Sequence, residues 1–424
     1  MIIKGPQKVS GTVKVSGAKN SVLPIMCAAL LGKGTITLNN VPNLNDVGVM
    51  SRIICKLGRK VEAKENSLVF SNMEEYSYGT DLPEYTGDIR YSVLLLGSLL
   101  ATIKKLKLPM PGGCNFSARP IDIHLDGLAE LNANIQEAED FIEAKTKKLV
   151  GNKINLRFPS VGATENLIIA SALAEGKSTI YNAAREPEIE DLINFLNILG
   201  AKIKFIDPST IEIEGVEELS SQDVVYDIMP DRIEAATYAV LGALSAENEL
   251  IIDNFIIEHN LNFLNILQKT GVKFKIINSK TLQVFKSPLL KGIDIETDVF
   301  PDLATDIQPL LAVLLTQANG QSSIIDNIYP SRFQYTQYLN DMGGNIVSIE
   351  KGILIKGKTA LHGKEVYSTD LRGGAAMVLA GIIANGDTKI NNTYQIFRGY
   401  SNLAIKLEMM GINLSNNEKS LLNV

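Results

Sequence analysis

The sequence contains few cysteines, and their spacing argues against two common uses. The 424 residues include three, Cys27, Cys55 and Cys114, with no CxxC or Cys/His pattern among them. Such an arrangement indicates neither a disulfide framework nor a zinc site. Reduced thiols suit a cytoplasmic location. We therefore expect a cytoplasmic protein that needs no metal and no cofactor.

Long hydrophobic runs and a leader segment are also missing. Residues 1–11 have no apolar core, so they do not predict a signal peptide. The apolar segments 92–100 and 375–384 are too short to span a bilayer and predict buried helices. A net charge of −6 gives no general attraction for nucleic acid or an anionic membrane. We expect neither of those partners.

The motifs of common nucleotide-binding enzymes are absent as well. Neither a P-loop nor a GxGxxG motif occurs in the sequence, which argues against ATP and NAD. No motif supports Ser/His/Asp catalysis, and His124 is better interpreted as structural than as catalytic. Any bound anion must therefore be held by a local cluster of basic side chains.

What the sequence does contain is a block of about seventy residues that recurs six times. Each block opens with a polar turn, continues with an apolar helix and a short strand, and closes a second helix at a left-handed stop. The stops fall at Gly58, Asn132, Gly200, Gly271, Gly343 and Gly411. Glycine, with asparagine as its substitute, is the usual residue at such a helix end.

The block openings place six helix N-termini in equivalent positions, and a helix N-terminus is a ready site for anions. They lie at residues 18–20, 88–90, 163–165, 230–232, 305–307 and 369–372. Six copies divide naturally into two groups of three, with a break near residues 227–230. Two similar domains would then face a cleft, where ligands commonly bind.

Arginine is scarce, roughly a quarter of the 41 basic residues, and it falls mostly at turns and block openings. Because its planar guanidinium binds carboxylate and phosphate in bidentate fashion, we favour a ligand role for the set. The alternative is a set of salt bridges between blocks. The candidates that could converge from different blocks are Arg90, Arg232, Arg332, Arg372 and Arg398.

Cys114 is the sharpest single candidate for chemistry. It follows Gly112 and Gly113 in a loop bracketed by prolines, where the backbone can turn tightly and present the thiol. Arg119 on the same loop could lower the pKa of the thiol. The alternative, a small buried hydrophobic residue, suits Cys27 and Cys55 better, since both fall on apolar helices.

Two block openings carry charges that allow two interpretations each. Lys19 at a helix start is electrostatically misplaced unless an anion binds there, although a solvated lysine is common. Asp306 could be an N-cap carboxylate. It could also be a general base within reach of a substrate hydroxyl.

Together the motifs resemble those of the enolpyruvyl transferases, the EPSP synthase-like family, over nearly the whole chain. The similarity is greatest to the branch that acts on a UDP-sugar, because the branch acting on shikimate phosphate lacks the Cys114 loop. The matching segments are residues 16–20, 111–114, 118–122, 160–164, 184–189, 230–234, 305–306, 369–372 and 398–400. The chain departs from the family pattern at Phe158, Phe397 and Ser401, and at residues 116–117.

The resemblance implies an α/β fold of the inside-out α/β barrel type, with six βαβαββ-type units in two similar domains. The first domain would span residues 18–228 and carry the Cys114 loop. The second would combine residues 1–17 with residues 229–424.

The reaction implied is transfer of enolpyruvate from phosphoenolpyruvate to the 3′-hydroxyl of UDP-N-acetylglucosamine, with release of phosphate through a tetrahedral ketal. This would be the first committed step of peptidoglycan synthesis, and so would serve cell wall biogenesis, cell shape and cell division. The enzyme would be a target of fosfomycin-type epoxides. Alternatives are an enolpyruvyl transferase for another acceptor and a non-catalytic ring such as a DNA clamp, which would need basic residues along an inner surface.

The resemblance also implies roles for individual residues. Cys114 would protonate the methylene carbon and can form a covalent pyruvate adduct, while Asp306 would take the sugar hydroxyl proton. Phosphoenolpyruvate would be bound by Lys19, Asn20, Arg119, Arg332, Arg372 and Arg398. The UDP-sugar would be bound by Arg90, Arg119, Pro120, Ile121, Asp122, Ile123, Ser160, Val161, Gly162, Asp306 and Ile328.

Overall fold

The computed structural model describes residues 1–80, 82–112 and 120–415. These divide into two compact units, each with its own hydrophobic core. Of these residues, the first unit comprises 17–80, 82–112 and 120–229, and the second comprises 1–16 and 230–415. The repeat predicts a break near residues 227–230, and the resemblance implies domain bounds at 17/18 and 228/229. The units of the structure are divided at 16/17 and 229/230.

The elements of the N-terminal segment and the first unit follow the predicted blocks. The segment forms β1 (Ile2–Gly5) and β2 (Thr12–Lys14). The first block then forms α1 (Lys19–Ala29), β3 (Ile36–Asn39), α2 (Asn45–Leu57), β4 (Val61–Lys64) and β5 (Ser67–Phe70). The second block forms two 3-10 turns (Glu84–Asp88 and Arg90–Leu94), α3 (Leu95–Thr102), β6 (Lys105–Pro109), α4 (Asp122–Glu130), β7 (Asn134–Glu137) and β8 (Phe141–Lys145). The third forms β9 (Lys153–Asn155), α5 (Val161–Ser171), β10 (Lys177–Tyr181), α6 (Pro187–Ile198), β11 (Lys202–Asp207), β12 (Thr210–Glu214) and β13 (Val224–Asp227).

The second unit repeats the same order of elements. The fourth block forms α7 (Arg232–Ser245), β14 (Glu249–Asp253), a 3-10 turn (Glu258–Asn260), α8 (Leu261–Thr270), β15 (Lys273–Asn278) and β16 (Thr281–Phe285). The fifth forms β17 (Asp294–Thr297), α9 (Gln308–Thr316), β18 (Gly320–Asp326), α10 (Thr336–Asp341), β19 (Ile346–Ile349) and β20 (Gly352–Gly357). The sixth forms β21 (Glu365–Tyr367), α11 (Leu371–Ile383), β22 (Gly386–Asn391), α12 (Tyr394–Phe397), α13 (Leu403–Met409) and β23 (Leu414–Ser415).

The described residues form six small sheets, which with the helices give the fold its α/β class; the four-stranded sheets are mixed and the three-stranded one is antiparallel. In the first unit the strand orders are β13-β3-β5-β4, β6-β8-β7 and β9-β10-β12-β11. In the second unit they are β2-β14-β16-β15, β17-β18-β20-β19 and β21-β22-β1-β23. In each four-stranded sheet the first pair in these orders is parallel and the remaining pairs are antiparallel. The repeat of the sequence is therefore a repeat of sheet topology.

The N-terminal segment completes two sheets of the second unit. β1 pairs antiparallel with β22 and β23, in the position that β16 and β20 occupy in the two preceding sheets. β2 pairs parallel with β14. The first and last parts of the chain thus share a sheet, which the resemblance implies by joining residues 1–17 to the second domain.

The first helix of each block is buried nearly all round, as its composition predicts. α1, α3 and α5 contact one another in the first unit, and α7, α9 and α11 do so in the second. The apolar segments 92–100 and 375–384 lie within these buried elements, as expected. No helix among the described residues is long and apolar enough to cross a membrane.

All six predicted helix stops are confirmed by the backbone. Gly58, Gly200, Gly271, Gly343 and Gly411 have φ values between 89° and 121°, and Asn132 has φ 70°. A left-handed residue at this position lets the chain leave the helix while its last carbonyls remain bonded. One opening is displaced, since α5 begins at Val161 and residues 163–165 lie inside it.

A buried arginine holds the end of α1 in place. The Arg59 guanidinium is fully buried and donates to the carbonyls of Ala29, Gly32, Gly34 and Ser71, at 2.5–2.9 Å. Burial lowers its pKa, although the neighbouring Tyr78 acts against this. Arg59 thus uses its donors on backbone carbonyls, three of them at the end of α1 and in the turn that follows it, and the fourth just after β5. For this arginine neither the ligand nor the salt-bridge interpretation holds.

A buried carboxylic acid lies inside α5. Neither carboxyl oxygen of Glu165 has a hydrogen-bond partner among the described residues, and the side chain is fully buried. Burial raises its pKa well above the ordinary value, and the nearby Glu188 and Glu186 raise it further. The native protein therefore carries a proton on Glu165 at pH values where the unfolded chain has lost it.

We expect Arg59→Lys to lower the free energy of unfolding by about 2–4 kcal/mol, because one ammonium cannot reach four carbonyls and some stay unpaired. For a unit of this size that shift lowers the thermal midpoint by several degrees, measurable by calorimetry. Arg52→Lys, on the exposed face of α2, is the matched control and should leave the midpoint unchanged. An equally stable Arg59→Lys protein would show that the four contacts contribute little.

We expect Glu165→Gln to stabilise the protein at pH 7–8 and to have little effect near pH 4.5. The raised native pKa means that wild-type stability is fully present below the unfolded pKa and falls as the pH rises above it, whereas the amide does not titrate. Thermal midpoints measured across this range should separate with increasing pH. Glu190→Gln, on the exposed side of α6, provides the control. Parallel midpoint curves for wild type and Glu165→Gln would mean that Glu165 is ionised in the native state.

Candidate active site

Asp306 lies between two buried guanidinium groups in the second unit. Its Oδ1 is 2.5 Å from Nη1 of Arg332, and its Oδ2 is 3.7 Å from Nε of Arg372. Both arginine side chains are 1 % exposed, whereas the Asp306 side chain is 25 % exposed. The carboxylate is thus the accessible member of a buried ionic group. It precedes α9 and is not its N-cap, which is Ile307.

A second carboxylate completes the charge balance of this group. Asp370 caps α11, accepting from the backbone N–H groups of Arg372 and Gly373 at 2.9 and 3.3 Å. Its Oδ1 is also 3.3 Å from Nη2 of Arg332. Burial alone would lower the pKa of Arg332, but the charges of Asp306 and Asp370 outweigh it and raise that pKa. The guanidinium therefore stays charged.

Tyr400 supports the second guanidinium. The Arg372 guanidinium lies 5.1 Å from the centre of the Tyr400 ring, and the Tyr400 hydroxyl is 2.9 Å from Oγ1 of Thr237. Burial would lower the pKa of Arg372, but Tyr400 and then Asp306 raise it. Nε and Nη1 of Arg372 are buried and have no hydrogen-bond acceptor among the described residues. These donors have the capacity to bind a further anion.

The other predicted residues of the second unit lie at or near the ends of helices and strands. Arg398 follows α12 and is half-buried, with Nη1 3.4 Å from Oε1 of Gln395. Ile328 follows β18, and its N–H donates to Asp326 at 3.0 Å. Arg232 is buried over the ring of Phe300, 5.7 Å from its centre.

Lys19 at the start of α1 has a carboxylate partner within the first unit. Its Nζ is 2.8 Å from Oδ2 of Asp46, in the first turn of α2, and the two side chains are 7 % and 4 % exposed. Asp46 therefore offsets the electrostatic mismatch of a lysine at a helix start. Asn20 follows in the same turn and is half-buried.

Three segments assigned to the UDP-sugar lie in the first unit: Arg90, residues 120–123 and residues 160–162. The first two of them are in contact. Arg90 donates to the carbonyl of Pro120 at 3.2 Å. Ile121 is buried, and α4 begins at Asp122, whose carboxylate accepts from the Ile123 N–H and pairs with Arg157.

The third segment is the start of α5. Ser160 is its N-cap, with Oγ accepting from the Ala163 N–H at 3.4 Å, and Val161 and Gly162 are its first two residues. All three are half-buried.

His124 joins these segments, which the sequence interpretation did not foresee. It is 6 % exposed, and its Nδ1 is 3.2 Å from Nδ2 of Asn166 in α5. Burial lowers its pKa to about 3, with a further contribution from Arg90. In the sequence, only the position of His124 two residues after Asp122 could have indicated that it lies near these segments. No local pattern indicates its contact with Asn166 in α5. The expectation that His124 is structural agrees with these contacts.

The cysteine predictions have different outcomes. Cys114 and Arg119 lie outside the described residues. Cys27 is buried as predicted, and burial raises the pKa of its thiol. The prediction for Cys55 is wrong, because its side chain is exposed on the outer face of α2. Only one face of α2 packs on the core, and Cys55 accepts a hydrogen bond from the Val61 N–H at 3.3 Å.

A metal site is not indicated in the part of the chain that the structure describes. No group of three or more His, Cys, Asp and Glu side chains is placed to hold a metal ion there. The second unit instead offers buried guanidinium donors and an accessible carboxylate, and the first unit offers a lysine at a helix start. These groups can bind a small anion and accept a proton.

Comparison with known proteins gives a consistent result at the level of sequence and of fold. The family model of EPSP synthase (3-phosphoshikimate 1-carboxyvinyltransferase) matches residues 3–407. A UDP-N-acetylglucosamine 1-carboxyvinyltransferase 1 of Caldanaerobacter subterraneus is 42 % identical over 97 % of both chains. A UDP-N-acetylglucosamine 1-carboxyvinyltransferase of Halothermothrix orenii is 40 % identical over 97 % of this chain and 98 % of its own.

Solved structures share the fold at lower identity. The enolpyruvyl transferase NikO from Streptomyces tendae superposes with a TM-score of 0.89 over 97 % of both chains, at 22 % identity. EPSP synthase from Acinetobacter baumannii gives a TM-score of 0.75 over 98 % of this chain and 99 % of its own, at 21 % identity. With a full-length family match and relatives at 40 % identity and above, the chain belongs to the EPSP synthase family of enolpyruvyl transferases.

Proposed function

We propose that this protein transfers the enolpyruvyl group of phosphoenolpyruvate to the 3′-hydroxyl of UDP-N-acetylglucosamine and releases phosphate. The names of the full-length relatives support the acceptor. The observation that carries the chemistry is the accessible Asp306 carboxylate held between the buried guanidiniums of Arg332 and Arg372.

The carboxylate of phosphoenolpyruvate would bind to the same two arginines. Nε and Nη1 of Arg372 have no hydrogen-bond acceptor among the described residues, although Nε lies 3.7 Å from Oδ2 of Asp306. Arg332 is already in contact with a carboxylate. A substrate carboxylate and Asp306 therefore compete for one set of donors. Because Asp306 is the exposed member, it is the one that can move aside.

This competition gives Asp306 a role that depends on the substrate. A carboxylate paired with a guanidinium is a weaker base than an unpaired one, because the pair stabilises the charged form. Binding of phosphoenolpyruvate would loosen that pair and leave Asp306 able to accept the proton of the sugar 3′-hydroxyl. The hydroxyl oxygen then attacks C2 of phosphoenolpyruvate.

The remaining roles follow the family motifs. Cys114 would give a proton to the methylene carbon as the ketal forms, and phosphate leaves when that carbon loses a proton again. Lys19, Asn20, Arg119 and Arg398 would bind the phosphate. For Lys19 this means sharing its ammonium between the phosphate and Asp46.

The UDP-sugar would be bound by the contacting segments of the first unit together with two residues of the second. Arg90 and residues 119–123 would bind one part, and residues 160–162 at the start of α5 another. Backbone N–H groups at a helix start suit a diphosphate. Asp306 and Ile328 would contact the sugar.

Within each unit we infer the inside-out barrel arrangement, in which the sheets surround the buried helices. We also infer a cytoplasmic enzyme of peptidoglycan synthesis, with its consequences for cell wall, cell shape and division. Phosphoenolpyruvate and the UDP-sugar are then its small-molecule partners, and fosfomycin-type epoxides its inhibitors through Cys114.

The proposed reaction is tested by phosphate release from phosphoenolpyruvate with different acceptors. We expect release with UDP-N-acetylglucosamine and none with shikimate 3-phosphate. Cys114→Ser should abolish it and remove labelling by a fosfomycin-type epoxide, whereas Cys114→Asp can keep activity because a carboxylic acid also gives a proton. Cys55→Ser, at an exposed cysteine, is the control and should behave as wild type. Full activity of Cys114→Ser would contradict the role of Cys114. Phosphate release with shikimate 3-phosphate alone would show that shikimate 3-phosphate, and not the UDP-sugar, is the acceptor.

We expect Asp306→Asn to lower kcat by at least about a hundredfold, the usual contribution of a positioned base. UDP-sugar affinity should change little, since an amide oxygen can still accept from Arg332. Steady-state kinetics and calorimetric titration with UDP-N-acetylglucosamine measure the two effects. Asp302→Asn, an exposed acid in the same segment, should behave as wild type. A fully active Asp306→Asn enzyme would mean that another group takes the proton.

A further inference from the structure

Asp326 is the last residue of β18 and is fully buried, and both of its carboxylate oxygens accept hydrogen bonds. Oδ1 accepts from the backbone N–H groups of Ile328 and Tyr329 at 3.0 and 2.8 Å, and from the Thr297 hydroxyl at 2.9 Å. Oδ2 accepts from the Thr305 hydroxyl at 2.6 Å. One buried side chain thus joins the turn after β18 to the segment that precedes α9.

The contacts of Oδ1 explain the local structure. An aspartate that accepts from backbone N–H groups a few residues further along the chain commonly closes a turn. The Thr297 hydroxyl belongs to β17, which pairs with β18, so its contact with Asp326 ties the turn to the sheet. Ile328, which we propose to contact the sugar, lies in that turn.

The contact of Oδ2 is not needed for the turn, and it leads to the proposed base. A hydroxyl has one proton to donate, and Thr305 donates its proton to Asp326. Oγ1 of Thr305 is therefore an acceptor toward Nη1 of Arg332, which lies at 3.5 Å and also donates to Asp306. Asp326 thus determines which way the Thr305 hydroxyl faces the guanidinium.

The backbone gives a second connection between Thr305 and the proposed base, Asp306. The two residues are neighbours in the turn before α9, and the N-cap of that helix, Ile307, makes no side-chain cap hydrogen bond. The helix start therefore does not hold the carboxylate of Asp306, and the Thr305 side chain connects this turn to β18. A shift of Thr305 would displace Asp306 relative to its guanidinium partners.

We propose that Asp326 is a positioning residue for the proposed base. Through Oδ2 it fixes Thr305, and thereby the alignment of Asp306 with Arg332. Through Oδ1 it holds the turn that would present Ile328 to the sugar, so one buried carboxylate places both the base and a contact of the acceptor. This inference rests on the proposed function, since it concerns the same reaction.

The substitution Asp326→Asn separates the roles of the two oxygens. Because three donors face Oδ1 and one faces Oδ2, the amide oxygen takes the place of Oδ1 and keeps the turn. The amide nitrogen then faces Thr305, whose hydroxyl accepts from it and directs its own proton elsewhere. We expect kcat to fall about tenfold, because the base is present but misplaced. The dissociation constant for UDP-N-acetylglucosamine should stay within about twofold of wild type.

Variants of Thr305 test the path between Asp326 and the base. Thr305→Val keeps the shape of the side chain without its hydroxyl and should lower kcat to a similar extent. Asp326→Asn should have no further effect on kcat in the Thr305→Val background, because the contact is already lost. Thr305→Ser restores a hydroxyl and should recover most of the activity.

Asp294→Asn is the matched control. Asp294 is an exposed carboxylate in the same strand pair, and it likewise accepts from a hydroxyl and a backbone N–H, both of Ser323, at 2.7 and 3.0 Å. It lies at the opposite end of β17 from Thr297, so its substitution should leave kcat at the wild-type value.

Phosphate release and calorimetric titration with the UDP-sugar provide the measurements. Unchanged kcat in Asp326→Asn, or independent losses from Asp326→Asn and Thr305→Val, would overturn the positioning role and leave the proposed reaction in place. A large loss of UDP-sugar binding in Asp326→Asn would also overturn it, because the substitution would then disturb the turn and not the base alone. A wild-type protein that releases no phosphate from phosphoenolpyruvate with UDP-N-acetylglucosamine would overturn the proposed function, and this inference with it.

Discussion

In the second unit, two buried guanidinium charges determine where two carboxylates lie, because a buried charge needs an opposite charge close by. Arg332 and Arg372 meet this need through Asp370, which is also the cap of α11, and through Asp306. Asp370 is buried and tied to the helix, so it cannot leave. Asp306 is the partner that solvent and substrate can reach. The same electrostatic requirement thus stabilises the fold and places the proposed base.

The first unit uses buried cations in a different way, and the difference lies in their acceptors. Arg59 is bound by four backbone carbonyls that no ligand can displace. Lys19 pairs with the side chain of Asp46, which can share the ammonium with an incoming phosphate. A buried cation is therefore available to a substrate when its acceptors are side chains that can rearrange. By that criterion Arg59 belongs to the fold, whereas Lys19 and Arg372 suit the substrate roles proposed for them.

Features that depend on a few neighbouring residues could be predicted from the sequence. The left-handed stops at Gly58 and Asn132 are examples, because only local backbone geometry decides them. Features that depend on distant partners could not be predicted from local patterns. Only the family resemblance placed residues 1–17 in the second domain, because the pairing of β1 with β22 joins residues almost four hundred positions apart. The exposure of Cys55 depends on which face of α2 meets the core. The contact that links His124 to the UDP-sugar segments was not foreseen because its partner Asn166 belongs to another block.

The six block openings show how a repeat can keep its fold and still vary its chemistry. α5, α7 and α11 are capped by their own side chains, from Ser160, Asp231 and Asp370. α1, α3 and α9 have no side-chain cap, and Lys19 and Asp306 stand at the first and last of these three openings. A residue that caps its helix is held by that helix. A residue that does not cap can pair elsewhere, as Lys19 does with Asp46 and Asp306 with Arg332. The openings therefore share a helix start but differ in what their polar residues bind. At α5, α7 and α11 a side chain binds the helix end, whereas Lys19 and Asp306 bind side chains elsewhere in their units.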